Sequence, residues 1–132
     1  MANILICEDD DLYRQIAEAA FAGSGHELRF AVDGDAALTR LKKEPFDLVV
    51  TDLVMPGRDG LEIIRAVRGS DKAVPILAMT AGLTTLKGPL VDAAKALGAD
   101  DVIEKPFRPM ALRQRADELL NRAAEKRGET AA

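Results

Sequence analysis

The sequence predicts an α/β domain: a doubly wound sheet of five parallel strands, with five helices covering both faces. Three observations lead there. Short apolar runs alternate five times with segments of helical period, the pattern of βα units joined by right-handed crossovers. Three of the runs (Ile4-Leu5-Ile6-Cys7, Leu48-Val49-Val50 and Ile76-Leu77-Ala78-Met79) are continuously apolar, as expected for central strands covered on both sides. Polar residues then gather at one end of the strands. Glu8 and Asp9 close the first, Asp52 the third and Thr80 the fourth, while Lys105 follows the fifth.

The elements follow in order. Strands are expected at 3–7, 27–32, 48–51, 76–80 and 101–103. The first helix, 11–22, places Leu12, Ile16, Ala19 and Ala20 on one face, with Asp10 and Asp11 as its cap and dipole partners. The second, 34–43, uses Ala37, Leu38 and Leu41, and Pro45 stops it. The third, 60–68, is capped by Asp59 and buries Leu61, Ile64 and Val67. The fourth starts at Pro89, runs through Leu90, Ala94 and Leu97, and ends at Gly98. The fifth, 109–124, carries Leu112, Ala116, Leu119, Leu120 and Ala123 on one stripe.

The bulk properties exclude several classes. A chain of 132 residues with 48% apolar and 30% charged content fits one globular domain. A net charge of -4 without a basic patch argues against a nucleic-acid partner. Cys7, the single cysteine, cannot form an internal disulfide and reads as a small buried hydrophobe, which suits a reducing cytosol. The first apolar run stops at Glu8, too short for a membrane span or a signal peptide. The expectation is a cytoplasmic, soluble domain over 1–124 with a short flexible tail at 125–132, no second domain and no membrane partner. His26 reads as a loop residue, and Gly23-Ser24-Gly25 precedes a strand, so it is not a phosphate-binding loop.

The strand ends carry the chemistry, because ligands of open α/β sheets collect there. Glu8, Asp9 and Asp52 would repel one another unless a cation intervened. Mg²⁺ suits such a site, since it takes oxygen ligands and keeps several waters. Phosphoryl transfer is mostly positioning and charge neutralisation, so a metal, the Lys105 ammonium and the Thr80 hydroxyl would suffice.

These residues make the chain resemble a receiver domain of two-component response regulators. The resemblance runs from residue 3 to about 122 and rests on Glu8-Asp9, the Asp-x-x-Met-Pro-x-x-Asp-Gly turn from Asp52 to Gly60, Thr80-Ala81 and Lys105-Pro106. It implies a flavodoxin-like sheet of order 2-1-3-4-5. It further implies that Asp52 is the phosphoacceptor, with Mg²⁺ bound by Asp9 directly, by Glu8 through a water, by Asp52 and by the Val54 carbonyl. Thr80, Ala81 and Lys105 would bind the phosphoryl group and act as the switch. The phosphodonor would be a histidine kinase or a histidine phosphotransfer protein, and the only chemistry catalysed would be the chain's own phosphorylation and dephosphorylation. With no output domain expected after the fifth helix, the signal would leave by contact with an unidentified downstream protein. The expected face is the fourth helix, fifth strand and fifth helix, bearing Lys87, Lys95, Asp100, Asp101, Glu104, Arg113 and Arg115. Asp101 and Arg115 fall where receivers of winged-helix transcription factors place salt-bridging residues, which implies a phosphorylation-dependent homodimer.

Two departures stand out. Val102 occupies the position where receivers usually carry a Tyr or Phe that follows the switch hydroxyl, and a valine has no ring to move. Segment 82–88 is long and glycine-bounded, so state-dependent movement is expected there. Other functions remain as alternatives. A phosphorelay shuttle would pass the group to another histidine. An aspartyl-phosphate phosphatase of the haloacid-dehalogenase kind needs a second Asp where Val54 stands. A flavodoxin-like cofactor binder would need a phosphate loop where Glu8-Asp9-Asp10-Asp11 would repel it.

Overall fold

The computed structural model describes residues 1–57, 59–71, 73–81 and 88–128. Its strands are β1 (Asn3–Cys7), β2 (Glu27–Ala31), β3 (Leu48–Asp52), β4 (Ile76–Thr80) and β5 (Asp101–Glu104). The helices are α1 (Asp11–Phe21), α2 (Gly34–Lys43), α3 (Gly60–Ser70), α4 (Pro89–Leu97) and α5 (Pro109–Lys126). All pairings are parallel, as the alternation of elements predicted, and the order is β2-β1-β3-β4-β5, as the resemblance to receiver domains implied. β3 takes in Asp52, β5 takes in Glu104, and α3 and α5 each run two residues further than expected. Lys87 and most of segment 82–88 lie outside the described residues.

Alternation along the strands splits the core in two. Leu5, Cys7, Val49, Ile76, Ala78 and Val102 point to one side and meet Ala37 of α2, Ile63, Ile64 and Val67 of α3, and Val91 and Ala94 of α4. Ile4, Ile6, Leu48, Val50, Leu77, Met79 and Ile103 point to the other and meet Ala17, Ala20 and Phe21 of α1 and Leu112, Ala116 and Leu119 of α5. β3 and β4 are buried at every residue, including the polar Thr51, Asp52 and Thr80 that follow their apolar runs.

The inward face of α1 differs from expectation. Leu12 is 58% exposed and Ala19 is exposed. The stripe that packs is instead Tyr13, Ile16, Ala17, Ala20 and Phe21, which keeps the helical period but rotates it by one position. Asp10 sets that phase by accepting from Leu12 N at 2.9 Å. Asp33 and Asp59 cap α2 and α3 in the same way, through Ala36 N at 2.7 Å and Glu62 N at 3.0 Å. α4 and α5 have no side-chain cap and begin on prolines, whose missing N–H needs no partner. No helix among the described residues is long and apolar enough to cross a membrane.

Candidate functional site

The parallel register brings the polar ends of β1, β3, β4 and β5 to one edge. Cys7 pairs with Thr51, Asp52 with Met79 and Thr80 with Glu104, so Glu8, Asp52, Thr80 and Lys105 emerge on adjacent strands. Carboxylate oxygens of Glu8, Asp9 and Asp52 lie within 4.8 Å of one another. Glu8 is fully buried and Asp52 nearly so, while Asp9 is open to solvent.

The turn after β3 fixes Asp52. Leu53 N donates to Met79 O at 3.0 Å, and Gly60 N returns to Leu53 O at 3.2 Å. Gly57 makes the bend at φ 79°. The start of α3 then lies so close to the strand end that a Cβ on Gly60 would sit 2.2 Å from the Asp52 carbonyl oxygen. Only glycine permits that approach. Val54 N donates to Asp52 Oδ1 at 3.1 Å, which holds the carboxylate in one orientation.

Lys105 crosses the site from β5. Its Nζ donates to Asp52 Oδ2 at 2.8 Å and also to Glu8 Oε1. Burial works against the ammonium, but its bonds to Asp52 and Glu8 outweigh that and hold it above its ordinary pKa. Glu8 is pushed up to about 7, first by burial and also by the charge of Asp52, against the lowering effect of Lys105 and of the Asp10 N–H. Two buried carboxylates thus share one ammonium, with the exposed Asp9 carboxylate close to both. A divalent cation would relieve the imbalance, and oxygen donors of this kind fit Mg²⁺.

A second observation points the same way. Thr80 Oγ1 is buried and has no hydrogen-bond partner among the described residues. Buried hydroxyls are seldom left so, because the desolvation cost goes uncompensated. The orphan hydroxyl sits on the strand next to Asp52 and fits a ligand that brings acceptor oxygens. Ala81, the next residue, is exposed.

Sequence reasoning missed three contributors. Tyr13 lies with its ring centroid 4.2 Å from Lys105 Nζ, and Phe107 packs on it at 5.3 Å between centroids. Arg14 donates to the Glu8 carbonyl at 3.0 Å and ties α1 to the end of β1. The positions 13, 16, 17 and 20 carried the signal, but Leu12 and Ala19 competed with it as apolar residues.

The expected partner face is only partly assembled. Lys95 is exposed on α4, and Arg115 Nη1 reaches Asp101 Oδ1 and Oδ2 at 3.1 and 3.0 Å within the same chain. Arg113 does not belong to this face: its guanidinium donates to Ala20 O at 3.2 Å and pairs with Asp117, so it looks toward α1. Asp100 is committed to Arg68 and to Ile76 N at the other end of the sheet, each at 2.8 Å.

Comparison with known proteins settles the family. A family model described as a response regulator receiver domain matches residues 4–117. The chain belongs to that family. The transcriptional regulatory protein RprY of Bacteroides fragilis is 34% identical over 125 residues, which cover 95% of this chain and 52% of that protein. The two-component response regulator PhoP of Pseudomonas aeruginosa is 36% identical over 92% of this chain and 53% of its own length. The receiver therefore spans about half the length of these curated relatives. Among solved structures, the chemotaxis response regulator CheY4 of Vibrio cholerae superposes with a TM-score of 0.81 at 31% identity, over 90% of this chain and 98% of that one. The fold is thus the flavodoxin-like arrangement of CheY-like receivers.

Proposed function

We propose that this receiver accepts a phosphoryl group on Asp52 from a histidine kinase or a histidine phosphotransfer protein, and signals through a phosphorylation-dependent protein contact. The observation that carries the proposal is the pairing of Asp52 with Lys105 beside two more carboxylates and an orphan threonine hydroxyl. Glu8, Asp9, Asp52 and the Val54 carbonyl would hold Mg²⁺, which supplies neutralisation of charge on the transferred group. Val54 N–H and Lys105 orient the two oxygens of Asp52. One of those oxygens attacks phosphorus, the bond from phosphorus to the donor nitrogen breaks, and the donor imidazole keeps the electron pair. Lys105 and the Thr80 hydroxyl then bond the phosphoryl oxygens, which carry about two negative charges in place of the single charge of the carboxylate.

Val102 shapes how the signal leaves. It is 6% exposed and packed into the core with Ala78, Val91 and Ala94. A buried valine cannot exchange places with a moving hydroxyl as a ring would, so the change leaves through Ala81 and the start of α4. Lys95 and the Asp101–Arg115 pair are the candidate contact groups, and exchange of that pair between two copies would give a homodimer.

Incubation with a radiolabelled small-molecule phosphodonor tests the proposal. Label should enter the wild-type protein only with Mg²⁺ present, and Asp52→Asn should abolish it. Label surviving that substitution would place the acceptor elsewhere. Sedimentation with and without beryllofluoride tests the homodimer, and an unchanged monomer ends it.

A further inference from the structure

We propose that Tyr13 positions Lys105: its ring holds the lysine ammonium over Asp52 when Glu8 and Asp52 turn to other partners. The inference rests on the reading of Asp52 as phosphoacceptor, and none of the motif elements that define the site includes position 13.

Lys105 reaches the site on a flexible four-carbon stem, so its ammonium stays in place only while contacts hold it. Three groups hold it here: Asp52 Oδ2, Glu8 Oε1 and the face of Tyr13, whose centroid is 4.2 Å from Nζ. Two of the three are carboxylates that a bound cation or phosphoryl group would engage. The ring has no such competing chemistry, and its attraction for the ammonium needs neither carboxylate.

The ring is itself held from several sides. Asp10 caps α1 just before it, and Arg14, the next residue, bonds the Glu8 carbonyl. Phe107, two residues beyond Lys105, packs on the ring at a tilt of 57°, so the segment that carries the lysine also carries the aromatic backing. The contact uses the face of the ring, not its hydroxyl. Phenylalanine should therefore replace tyrosine, and an aliphatic side chain of similar bulk should not.

Nuclear magnetic resonance reads the contact directly, because protons above an aromatic face shift upfield. The Lys105 ε-methylene should show that shift in the wild type and in Tyr13→Phe, and lose it in Tyr13→Leu. In the wild type the shift should persist after addition of Mg²⁺ and beryllofluoride. Its loss there would overturn the proposal without recourse to any variant. At saturating Mg²⁺, labelling of Asp52 should slow about tenfold in Tyr13→Leu and stay within about twofold of wild type in Tyr13→Phe. On a Lys105→Ala background, Tyr13→Leu should have no further effect, since the ring acts only through the lysine. Wild-type labelling in Tyr13→Leu, or equal slowing with and without Lys105, would also overturn it. Label persisting in Asp52→Asn would end the Asp52 assignment instead, and the lysine shift, measured with no phosphodonor, is independent of that result.

Discussion

The two ends of the sheet are built from similar residues and reach opposite electrostatic outcomes. At the amino end, Arg68 donates to Gly98 O at 3.1 and 2.7 Å, to Val74 O and to Asp100 Oδ2. Asp100 also takes Ile76 N, Asp47 takes Asn3 N at 2.8 Å, and His26 Nδ1 takes Ala2 N at 2.9 Å. These charges and dipoles satisfy one another and staple the strand starts. At the carboxyl end, Glu8 and Asp52 share one ammonium with the Asp9 carboxylate close to both, and a buried hydroxyl has no partner among the described residues. One end is complete by itself. The other keeps like charges close together, a conflict that a bound cation would relieve.

Removing a polar side chain should therefore change stability in opposite directions at the two ends, whereas steric change at the site should cost stability. The largest effect is expected from Gly60→Ala, where the new Cβ meets the Asp52 carbonyl and must push α3 off the strand end. A loss of ~3 kcal/mol in urea unfolding should accompany slower labelling of Asp52. Arg68→Ala comes next. It strands two carbonyls and a carboxylate, so unfolding should become easier by ~2 kcal/mol, with labelling of Asp52 unchanged. A labelling defect there would show that the two ends are coupled.

Thr80→Val should act in the opposite direction. Replacing a buried hydroxyl that has no partner among the described residues with a methyl removes a desolvation cost, so the ligand-free protein should gain ~1 kcal/mol while its beryllofluoride-induced partner contact is blunted. A destabilised Thr80→Val protein would mean that the hydroxyl already has a partner. The smallest effect belongs to His26. Burial lowers its pKa from 6.5, and its Nδ1 accepts a backbone N–H, so the folded state favours the neutral ring. The unfolded chain then takes up the proton first as pH falls. This contribution is complete above pH 6.5 and is lost on acidification below it. His26→Asn, which keeps an acceptor without titrating, should show a flatter stability profile in that window.

Much of the site was legible because its residues close strands whose apolar runs are easily seen. Once β1, β3, β4 and β5 lie parallel, Glu8, Asp52, Thr80 and Lys105 must share an edge. Cys7 was equally readable: it is buried, and burial pushes its thiol up to about 12. The inward face of α1 was not. Helical period fixes the spacing of a stripe but not its phase when leucine and tyrosine stand side by side, and the Asp10 cap with Phe107 packing chose the tyrosine. Arg113 was misassigned for a related reason, since a long side chain near the boundary of two faces goes where a carbonyl is free, here Ala20 O.

The sequence by itself determined the alternation of elements, the edge where the charges meet and the chemical types gathered there, because those follow from local period and from strand direction. The tertiary structure decided which groups touch. It buried Glu8 completely, laid Lys105 across Glu8 and Asp52, set the ring of Tyr13 against the ammonium and left the Thr80 hydroxyl without a partner among the described residues. Those contacts join residues up to 97 positions apart, and only packing of both helical layers on the sheet brings such distant side chains within bonding distance.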